Sequence, residues 1–129
     1  MIVTSTGIVN GIIDKKYGKY GEQFFKGMPT YSLPLEIKKY PQNTRTFAIL
    51  MEDKDAIPPT GFSWIHWSAA NITSDSLGEN ASVNTKKFVQ GTNSWSSALL
   101  QEGFYVNELY KVMEGHVLAH YTLKGIYYN

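Results

Sequence analysis

The feature that most constrains this chain is Thr46-Phe47-Ala48-Ile49-Leu50-Met51, an apolar run that stops abruptly at Glu52-Asp53-Lys54-Asp55. A run of this length with no polar interruption reads as a strand covered on both faces. Ala56 to Gly61 follows with Pro58-Pro59, which cannot continue a ladder and marks a loop. A second strand is expected over Trp64-Ile65-His66-Trp67-Ser68-Ala69-Ala70-Asn71-Ile72. Its alternation puts Trp64, His66 and Ser68 on one face, with Ile65, Trp67 and Ala69 on the other.

Around this pair the pattern stays strand-like. Ile2, Val3, Ile8, Val9, Ile12 and Ile13 are β-branched residues broken by Gly7 and Gly11, which predicts short strands joined by a turn. Lys15 to Gly27 is polar and glycine-punctuated, an exposed loop or turn with Phe24-Phe25 as its anchor. Tyr31 to Ile37 is extended, because Pro34 biases Leu33 away from helix. Thr73 to Gln90 reads as a surface loop whose Val83 and Phe88-Val89 touch the core. Val106, Leu109, Tyr110, Met113 and Val117 recur at helical spacing and predict a helix near Tyr105 to Leu118. Tyr121 to Tyr127 is expected to close the chain as a strand. The chain shows no repeat and no linker, so residues 1–129 read as one domain.

Composition removes several classes of function. Twelve basic against eleven acidic residues give a net charge of +1 with no dense basic stripe, which argues against nucleic-acid binding. Cysteine is absent, which excludes disulfides, thiolate metal sites and cysteine catalysis, and fits a cytoplasmic location. No segment is apolar for long enough to span a bilayer as a helix, and Met1 to Gly11 lacks the pattern of a signal peptide. An aromatic share of 14% leans toward a β-rich fold, since tyrosine and tryptophan suit strands and cleft walls.

The chemistry concentrates in Asp53-Lys54-Asp55 and Trp64-Ile65-His66-Trp67. Two carboxylates two apart on an extended segment share a face, and a short connection brings the histidine strand back beside them. A neighbouring carboxylate raises an imidazole pKa and favours the cation, which with nearby amides suits a phosphate-like anion. The bland alternative is that Asp-x-Asp caps loop amides and that the histidine is a satisfied core residue. His116 and His120 have a zinc-like spacing but neither a third ligand nor a general base, so they read as structural. No catalytic nucleophile, metal site or cofactor motif stands out.

Taken in order, several segments resemble the phosphatidylethanolamine-binding protein family in its bacterial Raf-kinase-inhibitor-like branch. They are Ser32-Leu33-Pro34-Leu35, Thr46-Phe47-Ala48-Ile49-Leu50, Asp53-Lys54-Asp55-Ala56, Trp64-Ile65-His66-Trp67, Asn71-Ile72 and Gly91-Thr92-Asn93-Ser94-Trp95. Asn107-Glu108-Leu109 and Glu114-Gly115-His116-Val117-Leu118-Ala119 continue the series. The resemblance implies a mainly β fold, an antiparallel β-sandwich with a C-terminal helix. It implies a pocket for a phosphate-type anion or phosphorylated head group and, in some members, regulation of a kinase or protease. Matched residue by residue, the ligand-binding positions are Asp53, Asp55, Trp64, His66 and Gly91. Lys54 stands where the family usually has proline.

The resemblance also exposes a gap. The family usually follows the Gly-x-Asn segment with a glycine-rich turn, a proline pair, a second pocket histidine and a long core strand. Here Ser97 to Phe104 runs almost directly into the expected helix, so a few dozen residues are missing between about Leu99 and Phe104. Losing a strand leaves its neighbours with unpaired backbone groups. Self-association, as a homodimer, is the expected repair. The alternative to an anion-binding protein is therefore a scaffold that has lost its pocket and serves as an oligomeric interaction protein.

Overall fold

The structure is a computed structural model and describes residues 1–25, 28–96 and 121–128. Its strands are β1 (Ile2–Thr4), β2 (Ile8–Val9), β3 (Ile12–Ile13), β4 (Phe24–Phe25), β5 (Met28–Pro29), β6 (Leu35–Lys38), β7 (Thr46–Asp53), β8 (Trp64–Ile72), β9 (Ser76–Leu77), β10 (Val89–Gln90) and β11 (Tyr121–Tyr128). Helix is confined, among the described residues, to the single turns α1 (Ile57–Thr60) and α2 (Ala81–Asn84) and two 3-10 turns, Lys15–Tyr17 and Ser94–Ser96. The chain is thus mainly β.

The longest strands form a four-stranded sheet in the order β10-β8-β7-β11. β7 runs on past the apolar stretch to Asp53, and Met51, Glu52 and Asp53 are all buried. In β8 the buried positions are Trp64, Trp67, Ala69 and Ile72. Asn71, at φ 61°, breaks the two-residue alternation just before Ile72. The closing strand β11 lies where the sequence predicts it.

The described chain forms two compact units. The first is built, among the described residues, on residues 1–48, 70–89 and 125–128. Its three-stranded sheet, order β1-β6-β9, is antiparallel, with Val3 opposite Ile37 and Leu35 opposite Leu77. Alternation along β6 buries Leu35 and Ile37 and turns Glu36 and Lys38 outward, where they pair at 2.7 Å. Leu35 and Ile72 are the most deeply buried large side chains. Tyr40 sets its ring edge against Phe47 at 5.0 Å and donates its hydroxyl to Asp75 Oδ2. The β2–β3 hairpin turns on Asn10-Gly11, both with positive φ, which is the backbone a two-residue hairpin needs.

The second unit is built, among the described residues, on residues 49–69, 90–96 and 121–124. Ala56 and Trp64 form its small aromatic core, with Phe62 and Trp95 packed on it. Phe62 stacks on Trp64 at 6.0 Å, and Trp95 meets Trp64 edge-on at 6.4 Å. Each arrangement is a favoured one for aromatic quadrupoles.

Three local expectations change. Pro58-Pro59 does not lie in an irregular loop but in α1, where proline suits a first helical turn because the N–H groups there need no intrahelical partner. Thr73 to Gln90 is not one loop: β9, α2 and β10 form within it, with Phe88 buried but Val83 and Val89 exposed. Phe24-Phe25 does not anchor its segment, since both rings are exposed. The expected helix over Tyr105 to Leu118, His116, His120 and the gap near Leu99 to Phe104 lie outside the described residues.

Candidate functional site

β7 delivers Asp53 to its end as a buried residue, 4% exposed. Asp53 Oδ1 accepts the amide of Asp55 at 2.9 Å, an Asx-type turn that carries the chain out of the strand. Ile57 N–H then donates to the Lys54 carbonyl at 3.0 Å and starts α1. The turn separates the two carboxylates, so Asp53 is buried while Asp55 is exposed. They do not share a face, because the extended backbone ends between them. Glu52 is also buried, and Ser63 Oγ donates to its Oε2 and to the Asp53 carbonyl, both at 3.3 Å. Reading the strand as ending at Met51 hid Glu52; only its continuation to Asp53 brings that carboxylate inside.

His66 is the third residue of β8, beside β7 in the sheet. Burial pushes its pKa down to about 4, and the Asp53 carboxylate, which favours the cation, does not offset that. The sequence-based expectation of an imidazolium is therefore reversed. At neutral pH the ring is uncharged, with one nitrogen as donor and the other as acceptor. Trp64 is 4% exposed and packs with Ala56, Phe62 and Trp95.

Gly91 opens a strap along the edge of β8. Its N–H donates to the Ser68 carbonyl at 3.1 Å. Asn93 Nδ2 donates to the His66 carbonyl at 3.4 Å, and Ile65 N–H donates to Ser94 Oγ at 2.9 Å. Trp95 N–H closes onto Asn93 Oδ1 at 3.2 Å, and Trp67 Nε1 donates to Gln90 Oε1 at 2.7 Å. A Cβ on residue 91 would lie 2.6 Å from Ser68 Oγ, so the strap runs close because the residue is glycine. Sequence reasoning quoted Gly91-Thr92-Asn93-Ser94-Trp95 as one segment and gave a site role to Gly91 alone; the bonds of Asn93 and Ser94 to β8 come from the structure. The signal available was a run of small polar side chains after a strand, able to satisfy an edge where backbone pairing has stopped.

A groove of about 300 Å³ lies in the first unit, lined by Ile72, Ser74, Leu77, Ala81, Asn84 and Lys87 among others. None of Asp53, Asp55, Trp64, His66 or Gly91 lines it. No group of three or more histidine, aspartate or glutamate side chains suited to a metal ion occurs among the described residues. No helix among them is long and apolar enough to cross a membrane.

These features define a mainly antiparallel β protein whose polar side chains gather at one strand end beside a glycine-led strap. Residues 4–101 match the phosphatidylethanolamine-binding protein family, and the chain belongs to that family. It is 33% identical to the uncharacterized protein YxkA of Bacillus subtilis, with 89% of this chain and 93% of YxkA covered. That alignment runs over 156 residues while 89% of a 129-residue chain is about 115, so roughly forty of its positions have no counterpart here. The internal shortening is thus seen against a relative.

Two crystal structures share the fold. The phosphatidylethanolamine-binding protein homologue CT736 of Chlamydia trachomatis aligns with a TM-score of 0.57 and 29% identity over 74% of this chain. YbcL of Escherichia coli, described as a member of the mammalian family, aligns with a TM-score of 0.56 and 28% identity over 72%. This chain spans 59% of the length of each.

Proposed function

We propose that the chain binds a small phosphate-type anion, free or as a phosphorylated head group, at Asp53, Asp55, Trp64, His66 and Gly91. The observation that carries this reading is the charge relation between His66 and Asp53, a neutral imidazole held under the influence of a buried carboxylate. The imidazole N–H donates to the anion, and the arriving negative charge favours protonation of the ring, so binding takes up a proton. A carboxylate, Asp53 inside or Asp55 at the exposed turn, suits an ammonium group, which makes a zwitterion such as phosphorylethanolamine a better fit than a bare anion. Trp64 excludes water from one side. Action on a protein partner, a kinase or a protease, is the regulatory extension of the same reading.

The test is an amide–nitrogen NMR titration with phosphorylethanolamine and, separately, inorganic phosphate. Asp53, His66 and Gly91 amides are expected to shift, with affinity rising as pH falls from 7 toward 5. In His66→Ala the affinity is expected to fall while the spectrum stays dispersed. Unchanged affinity in that variant removes His66 from the site.

A second reading has its own support in the roughly forty positions that YxkA has and this chain lacks. A scaffold shortened internally serves as an oligomeric interaction protein, with a homodimer satisfying the strand edges that the lost segment paired. A stable dimer by light scattering, together with amides indifferent to both ligands, would favour it over anion binding.

A further inference from the structure

The β2–β3 hairpin is a sheet of its own, joined by no third strand among the described residues. Its strands are two residues each, with Ile8 opposite Ile13 and Val9 opposite Ile12. Val9 is 63% exposed and Ile12 53%, so the outer pair lies in water rather than against a core. A hairpin this short, with its outer pair exposed, is only marginally held, and its tip opens more readily than the body of the chain. The base is firmer. Asp14 N–H donates to the Gly7 carbonyl at 2.9 Å, and a Cβ on Gly7 would lie 2.6 Å from the Tyr17 ring.

At the tip stands Asn10-Gly11, and Asn-Gly occurs nowhere else in the sequence. Both residues are exposed, and a Cβ on Gly11 would meet nothing within 4 Å. The Asn10 side chain makes no hydrogen bond among the described residues. With no side chain of its own, Gly11 leaves its amide nitrogen unshielded and able to reach the preceding side-chain carbonyl. What opposes that approach is the turn. Asn10 at φ 52° and Gly11 at φ 77° are the left-handed pair of a two-residue hairpin, which holds Asn10 Cγ out of line with the Gly11 nitrogen. Alignment therefore requires the tip to open. The other described asparagines are better protected. Asn43, Asn71 and Asn84 each precede a β-branched residue, whose branching crowds its own amide. Asn80 is 7% exposed. Asn93 donates from Nδ2 to the His66 carbonyl at 3.4 Å and accepts the Trp95 N–H on Oδ1 at 3.2 Å.

We propose that Asn10 is a site of spontaneous deamidation, gated by opening of the β2–β3 tip, with water as the co-reactant. The Gly11 nitrogen gives its proton to solvent base and attacks Asn10 Cγ. The new C–N bond closes a five-membered imide, and the side-chain nitrogen takes up a proton and leaves as ammonia. Water then opens the imide at one of its two carbonyls. Cleavage at Cγ leaves aspartate. Cleavage at the backbone carbonyl leaves isoaspartate, with the main chain running through Cγ and one carbon longer. Either product adds one negative charge, which takes the net charge of the chain from +1 to zero. Isoaspartate also breaks the two-residue turn, so β2 and β3 lose their register.

Incubation of the full chain in mildly alkaline buffer tests this, followed by ammonia release and peptide mass mapping. Conversion is expected at Asn10 ahead of every other asparagine, giving both aspartate and isoaspartate. It is expected to run slower than in the same chain unfolded in guanidinium chloride. Val9→Gly should speed it about fivefold, the factor that ~1 kcal/mol of lost strand stability gives, with NMR dispersion kept outside the hairpin. Asn10→Gly should lose the early ammonia release. Reaction first at Asn93 or another asparagine overturns the proposal. So does a native rate equal to the unfolded rate, which would mean that the turn gates nothing, or a rate unmoved by Val9→Gly.

Discussion

His66 and Glu79 are both held well below their ordinary pKa, for opposite reasons. His66 sits at about 4 because burial withholds water from its cation, even with Asp53 acting the other way. Glu79 is exposed and sits at about 2 because Lys16, Tyr17 and Tyr31 donate to its anion. The first residue is neutral at pH 7 and the second is charged. Desolvation shapes one region, and directed hydrogen bonds shape the other. A mutation near His66 therefore acts through packing, whereas one near Glu79 acts through partners.

The largest expected effect lies on the buried side. Trp64→Ala empties the aromatic core shared with Phe62 and Trp95 and should cost about 3–5 kcal/mol of unfolding free energy, read from urea titration. A loss below about 1 kcal/mol would mean that this core is not what holds the region together.

His66 comes next. Its folded pKa of about 4 lies below the ordinary value of 6.5, so between these pH values the unfolded chain binds more protons. Stability should rise from pH 4 to pH 6.5 and be lost on acidification through that window, by up to about 3 kcal/mol. His66→Gln should flatten the profile there. A wild-type profile already flat between pH 4 and 6.5 would show that burial does not govern the ring.

Gly21→Ala probes the exposed region through its backbone. Its added Cβ would lie 2.3 Å from the Lys16 carbonyl oxygen, so that approach must open, at a cost of about 1–3 kcal/mol, with faster hydrogen exchange expected in residues 17–25. Normal exchange in that variant would show that the turn is not fixed by the close approach. The smallest effect is expected for Tyr31→Phe, which removes one of the donors to Glu79. The carboxyl titration, followed by carbon NMR, should move upward from about 2 with little change in global stability. Glu79 contributes to stability above its unfolded pKa, and that contribution is lost as pH falls through about 2. An unmoved titration would break the comparison from the exposed side.

The three long strands of the four-stranded sheet, β7, β8 and β11, were legible because their patterns are local. The apolar run from Thr46 and the aromatic stretch from Trp64 need no partner to be recognised, and an ordered series of segments pointed to the family. β9, α2 and β10 were illegible because each is two to four residues long and rests on contacts such as Asn80 N–H to the Ser32 carbonyl, 2.8 Å apart but distant in sequence. The candidate residues were legible by type but not by placement: Asp53, Asp55, Trp64 and His66 were nominated from their motif, and only the tertiary structure buries Asp53, exposes Asp55 and bonds Asn93 and Ser94 to β8.

Sequence by itself determined residue chemistry and the periodicity of the long strands, since both are properties of neighbouring residues. It also determined family membership. Tertiary structure alone decided the charge state of His66, because an imidazole pKa depends on the water and carboxylates around it. It alone decided that Tyr17 and Tyr31 meet at Glu79 and that Phe24 and Phe25 face outward. Burial and long-range hydrogen bonds join residues far apart in the chain, and no local pattern encodes which of them will meet.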